Sequence, residues 1–278
     1  MNYRLFALAM LLMSSVATAA SITDFSNWTL VEDPAHPGMS ATIDGPSQAS
    51  LARSGPIPNG ADIGFASVNG DTVSTSDAGW YFSPDQDFQI AIDFSSITSA
   101  GSVGAGVFGF GVGEDASGSN SAGIGVMSID SIQAGYLAAG RVNDIDVIGQ
   151  FFSTEPLLPG SAIRQGQAVG RMFLSYDSST GDVSLGVSNT VGATQPEEAQ
   201  TLSGIAESWS GRPLLVSFFL RSQQVPMVHS ELRDGATNVQ VGPLIVLHGT
   251  PITIPEPTSG VLAILGALGV LAVKKRTC

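Results

Sequence analysis

Phe88-Gln89-Ile90-Ala91-Ile92-Asp93-Phe94 places a large apolar side chain at every second position. Successive side chains leave a pleated backbone on opposite sides, so a period of two marks a strand with one face buried. The alternation returns at Met172, Leu174 and Tyr176, and again at Val183, Leu185 and Val187. Between those runs, Asp177-Ser178-Ser179-Thr180-Gly181-Asp182 consists of short polar residues and a glycine, which suits a tight reversal. Residues 171–188 are therefore expected to form a β-hairpin.

Outward from these strands, turn residues interrupt the chain at short intervals. Further strands are expected at Trp28–Val31, Ser40–Ile43, Ile63–Val68, Trp80–Phe82, Gly106–Val112, Gly123–Ser128, Val142–Phe152, Leu214–Arg221 and Val239–Leu247. Leu214-Leu215-Val216-Ser217-Phe218-Phe219-Leu220 is apolar on both faces and reads as a central strand. Gln195 to Trp209 departs from the pattern: Glu197, Glu198, Leu202 and Ile205 suit a short helix, limited by Gly204 and Pro213. The whole predicts an all-β, antiparallel two-sheet sandwich over residues 20–250.

Two stretches carry a family resemblance. Gly79-Trp80-Tyr81-Phe82 leading into Phe88–Phe94, and Arg171–Asp177 with its return strand, resemble pieces of concanavalin A-like jelly rolls, the group of laminin G domains, legume lectins and glucanases. The resemblance implies a jelly roll, and it implies two alternatives for the domain: a calcium-dependent, lectin-like carbohydrate-binding module, or a polysaccharide-degrading glycosidase. Fold by itself licenses neither activity.

Both ends of the chain read as export machinery. Arg4, the apolar run Leu5–Val16 and Ala17-Thr18-Ala19 have the order of a secretory signal, with Ala17 and Ala19 framing the cleavage site and residues 1–19 removed. At the other end, residues 251–257 form a proline-rich neck in which Pro255 and Pro257 favour extended backbone. Residues 258–273 follow, 16 positions without a charge. As a helix they would reach roughly 24 Å, a minimal single transmembrane span. Lys274, Lys275 and Arg276 lead the basic tail 274–278, which resists translocation. This order resembles the PEP-CTERM sorting signal of bacterial envelope proteins. The resemblance implies recognition of Pro255, Glu256 and Pro257 by an exosortase, with Lys274, Lys275 and Arg276 as the retention cluster. It further implies an inner-membrane-anchored precursor that ends at the cell surface or in the extracellular matrix, in a structural or exopolysaccharide-associated role.

Charge and cysteine content narrow the partners. Beyond Arg4 and the basic tail, 7 arginines and no lysine stand against 24 carboxylates, a formal charge of −17. Such a surface repels nucleic acid and anionic lipid and attracts divalent cations or basic partners. Cys278 is the only cysteine, so stability depends on the core without an intramolecular disulfide.

No catalytic motif emerges. Gly104-Ala105-Gly106-Val107-Phe108-Gly109 has the G-x-G-x-x-G spacing but lacks a following helix-forming run, and it reads as a glycine-rich strand. The clustered Glu-x-Asp-x-x-Glu of glucanases is missing, so the expectation is a binding or structural protein and not an enzyme. His36, His229 and His248 lack metal-ligand spacing. Calcium is the one cofactor the composition keeps open, with Glu114, Asp115, Asp144 and Asp146 as candidate ligands in oxygen-rich loops. Among the rings that suit a sugar, Trp28 and Trp80 read as core, whereas Trp209, in the least regular segment, is expected to be exposed.

Overall fold

The computed structural model describes residues 20–22, 24–33, 35–58, 60–99, 105–129, 136–152, 167–222 and 235–255. The signal segment with Ala17 and Ala19, then Glu256, Pro257, the span 258–273 and Lys274–Arg276 lie outside them. No helix among the described residues is long and apolar enough to cross a membrane.

With strands numbered in chain order, one sheet runs β14 (Glu198–Leu202), β13 (Asp182–Ser188), β12 (Gln167–Asp177), β7 (Phe88–Thr98), β16 (Ala236–His248), β4 (Gln48–Ser54), β3 (Met39–Gly45). A short β1 (Ala20–Ile22) also pairs with β16 and makes this sheet eight-stranded. The other sheet, of seven strands, runs β11 (Ile145–Phe152), β10 (Tyr136–Val142), β9 (Ser121–Ile129), β8 (Ala105–Gly113), β15 (Leu215–Ser222), β5 (Asp62–Ala66), β2 (Thr29–Asp33). A separate pair joins β6 (Gly79–Tyr81) to β17 (Ile252–Ile254). Neighbours in both sheets are antiparallel, and the architecture is a two-sheet sandwich.

The alternation in the opening stretch sorts the two faces of β7. Phe88, Ile90, Ile92 and Phe94 enter the core, where they meet Phe108, Phe110, Ile124 and Phe218 of the opposing sheet. The hairpin expected at residues 171–188 is present, with Arg171 opposite Ser188 and Asp177 opposite Asp182. Gly181 turns it at a φ of 73°, a conformation glycine adopts without steric cost. The strand expected to be central, β15, lies between β8 and β5. Ala105–Gly113 is a strand, as expected for the glycine-rich run; Gly104 lies outside the described residues.

Two expectations are corrected. Residues 198–202 are not helical; they pair with Val183–Val187 as the edge strand β14, and a single 3-10 turn, Ala206–Trp209, follows. The alternating burial of β14 shows the period of two that its helix-compatible residues concealed. Val142–Phe152 is not one strand either. Asn143 and Asp144 adopt positive φ of 51° and 64° and turn β10 back into β11, a geometry that Asn and Asp tolerate.

A candidate ligand trough floored by glycine

Strand alternation shapes the outer face of the seven-stranded sheet. In β8, Phe108, Phe110 and Val112 are buried in the core, so Gly109, Gly111 and Gly113 face out. In β9, Ala122, Ile124 and Val126 face in, and Gly123 and Gly125 face out. Register then aligns them: Gly109 stands opposite Gly125, and Gly111 opposite Gly123. A Cβ on Gly111 would come 2.7 Å from the Ala122 carbonyl oxygen, and one on Gly123 would come 2.8 Å from that of Phe110. The β8–β9 approach therefore requires glycine at Gly111 and Gly123.

Phe219 completes the floor. It pairs with Gly109 on one side and with Gly64 on the other, and its ring leans over Gly109, where a Cβ would meet ring carbon Cζ at 2.4 Å. The Arg221 guanidinium lies 5.4 Å from the Phe219 ring centroid. Arg221 is anchored by Asp62, with Nε and Nη2 at 3.0 and 2.5 Å from Oδ2. Arg141, Asp115, Ser117 and Ser121 form the opposite rim. The resulting trough encloses about 380 Å³, within the ~300–1,000 Å³ of ligand-binding clefts. A flat apolar floor between polar rims suits a ring with a C–H face and hydroxyl edges.

The calcium candidates are partly brought together. Asn143 N donates to Asn120 Oδ1 at 2.8 Å and Asp144 N donates to the Ser119 carbonyl at 3.0 Å, which joins the Glu114–Asn120 loop to the β10–β11 turn. Their carboxylates face different partners. Glu114, 4% exposed, accepts from Asn120 Nδ2 at 2.5 Å. Its Oε2 lies 3.0 Å from Arg212 Nη1 as an ion pair, without the angles of a hydrogen bond. Asp115 Oδ1 caps its own loop, accepting from Ser117 Oγ, Gly118 N and Ser119 N at 2.7, 2.6 and 3.2 Å. Asp144 pairs with Arg141 at 3.6 Å, and the side chain of Asp146 lies outside the described residues. Among the described residues no group of three or more His, Cys, Asp and Glu is arranged to hold a metal ion.

Trp209 is a further correction. It is 0% exposed and meets Tyr176 edge-on at 5.5 Å, so it offers no ring to a ligand. Its segment looked irregular because a 3-10 turn, closed by Ser210 at a φ of 51°, tucks the indole into the core. The ring on the trough is instead Phe219, and its signal lay in the outward glycines of an expected strand.

A second, polar hollow of about 340 Å³ lies over the eight-stranded sheet, bordered by Asp87, Asp177, Asp182 and His248. Hydrogen bonds from Ser178 hold the Asp87 carboxyl below its ordinary range, and those from Ser179 do the same for Asp177.

Fold and trough together define an antiparallel β-sandwich with a ligand-sized concavity on one outer face. No protein-family model matches the chain, and no curated protein matches it in sequence. Among solved structures it is similar to a lectin from Bauhinia forficata in complex with GalNAc, at 10% identity and a TM-score of 0.44, over 86% of this chain and 99% of that one. It is similar to a Bacillus licheniformis β-glucanase at 7% identity and a TM-score of 0.48, over 84% and 100% of the two chains. An alginate lyase from Klebsiella pneumoniae gives 10% identity and a TM-score of 0.48, over 82% and 98%. Likenesses of this strength concern the arrangement of strands; the chemistry of the trough rests on its own residues.

Proposed function

We propose that this is an exported bacterial envelope protein whose sandwich holds a polysaccharide chain in the trough, and whose ending passes it to an exosortase as a PEP-CTERM substrate. The observation that carries the binding role is the registered glycine pairing, Gly109 with Gly125 and Gly111 with Gly123, beside the Phe219 ring. Glycine on that face leaves room for a sugar ring to lie on the sheet, and the rims supply hydrogen-bonding groups.

The role is binding and not hydrolysis. Among the described residues, the carboxylates bordering the trough are Asp62, engaged by Arg221, and Asp115, engaged by its own loop. A glycosidase needs an acid and a second carboxylate directed at one bond, ~5–9.5 Å apart according to mechanism. The strongly acidic surface favours a neutral glycan over a polyanionic one. The charge-free run 258–273 and the basic tail support the membrane-held precursor.

Purified residues 20–255 should bind soluble polysaccharide in calorimetric titration. Gly125→Leu should weaken that binding at least about tenfold, since the new side chain fills the trough; its Cβ would crowd Val107 Cγ1 at 2.8 Å and lie at an ordinary 3.5 Å from the Phe108 carbonyl oxygen. Loss of binding in chelator would favour the calcium-dependent reading. Release of reducing sugar, abolished by Asp62→Asn, would favour the glycosidase instead. Indifference to every polysaccharide tried would remove the binding role. For sorting, Pro255, Glu256 and Pro257 replaced by alanine should change the size and location of the protein in its host; an unchanged protein would reduce the ending to a plain anchor.

A further inference from the structure

The chain leaves β16 at Gly249 and returns as β17, with Ile252 opposite Tyr81, Thr253 opposite Trp80 and Ile254 opposite Gly79. β6 does not need this partner. On its other edge Trp80 N donates to the Ser67 carbonyl at 2.9 Å and Ser67 Oγ donates to the Trp80 carbonyl at 2.8 Å. Phe82 and Leu214 exchange two backbone bonds of 2.8 Å just beyond it. The hold on β17 is slighter, because it is three residues long and belongs to a sheet of two strands. Ile252 is 40% exposed and Thr253 is exposed, so Ile254 is the apolar anchor.

That anchor belongs to a cluster that adjoins the trough. Ile254 belongs to a cluster with Ala66, Val68 and Leu215, which is joined by Val31 and Ala116. Ala66 shares the outward face with Gly64, and Leu215 shares it with Ser217 and Phe219. Val31 and Ala116 also line the trough. Pro255 follows Ile254 directly, so no spacer separates β17 from the Pro-Glu-Pro motif.

We propose that β17 is a releasable strap: handling of the tail in extended form peels Ile252–Ile254 from β6, and the same movement uncovers Ala66 and Leu215 beside the trough residues Val31 and Ala116. This inference rests on the sorting role proposed for the Pro-Glu-Pro motif. An enzyme that grips an extended segment recruits its backbone groups as an added strand would. In β17 one edge of those groups is already committed to β6.

Four versions of the full chain, compared in the native host, test the strap: wild type, alanine at Pro255, Glu256 and Pro257, Ile254→Ser, and Tyr81→Cys with Ile252→Cys. Ile254→Ser, which loosens the anchor, should be processed at least about threefold faster than wild type. The cysteine pair stands at opposed positions and should hold the precursor unprocessed until a reductant is added. If the triple-alanine chain is blocked while the loosened and locked chains run at the wild-type rate, the strap is refuted and the sorting role survives. If the triple-alanine chain is processed normally, the sorting role falls. The strap is then judged by hydrogen exchange on the full chain in detergent, where the Ile252 and Ile254 amides, which face β6, should exchange at least ~100-fold faster than that of Val246 in β16. Equal protection at those sites overturns it.

Discussion

Arg171 and Asp93 face each other across β12 and β7, with Nε and Nη2 each 2.7 Å from a different oxygen of the carboxylate. The pair lies on the outer face of the eight-stranded sheet yet is buried, because the loop after β13 closes over it. Arg171 Nη1 donates to the Ala193 carbonyl at 2.7 Å, and Gly192 N donates to Asp93 Oδ1 at 3.1 Å. Removing one partner of a buried pair strands the other charge, so Asp93→Asn or Arg171→Met should cost ~3–5 kcal/mol in denaturant unfolding. The double variant Asp93→Leu, Arg171→Met should cost less than the sum of its singles. Strict additivity would mean that the two groups do not stabilise each other.

Phe219 and Gly109 are expected to be coupled in the same sense. Gly109→Ala pushes a methyl into the Phe219 ring and should destabilise the domain by ~1–3 kcal/mol. With Phe219→Ala already present, the same change should be nearly neutral. A double-mutant cycle reads the difference, and an equal cost in both backgrounds would place the ring elsewhere.

All three tryptophans are enclosed: Trp28 at 6%, Trp80 at 8% and Trp209 at 0% exposure. Emission should therefore be blue-shifted and resistant to acrylamide in the folded protein. Trp209→Ala should cost ~3–5 kcal/mol, as for other large buried rings. Ready quenching of Trp209 in a Trp28→Phe, Trp80→Phe background would restore the exposed ring expected from sequence.

The pH response should have two flanks. Burial first, and then the charges of Glu197 and Glu198, raise the Tyr136 phenol above its ordinary value. The folded state thus holds that proton more tightly; its contribution is complete below pH ~10 and is lost as pH rises through the folded value. Burial lowers Arg53 to about 10, so keeping it charged costs stability below that pH, and the cost fades as pH rises through it. Tyr136→Phe forfeits the bond donated to Asn189 Oδ1, ~1 kcal/mol at neutral pH, but should flatten the alkaline decline. On the acid flank, hydrogen bonds from Ser26, Ser178 and Ser179 depress Asp24, Asp87 and Asp177. Their stabilisation is present above the ordinary carboxylate pKa, ~3.9, and lost as pH falls through the depressed values. Melting temperatures across the pH range check both flanks; an alkaline slope identical in Tyr136→Phe and wild type would contradict the assignment.

The β7 alternation and the β12–β13 hairpin were legible in sequence because both are local. A period of two with a polar reversal needs no distant partner to declare itself. Gln195–Trp209 misled because Glu, Ala and Leu suit a helix, while the decisive influence was an unpaired edge of β13 waiting in space. Val142–Phe152 misled because apolar residues on both sides of Asn143-Asp144 hid a two-residue turn.

Sequence alone determined which side chains share a face of the plainly alternating strands, and the excess of carboxylates. Tertiary structure decided what those faces make together. Gly109 and Gly125 form a floor only because β8 and β9 pair in that register, and Phe219 lies on it only because β15, more than a hundred residues onward, packs alongside. Alternation is written in neighbouring residues, whereas register depends on hydrogen bonds and packing between distant ones. A shift of one residue would have turned every one of these glycines into the core.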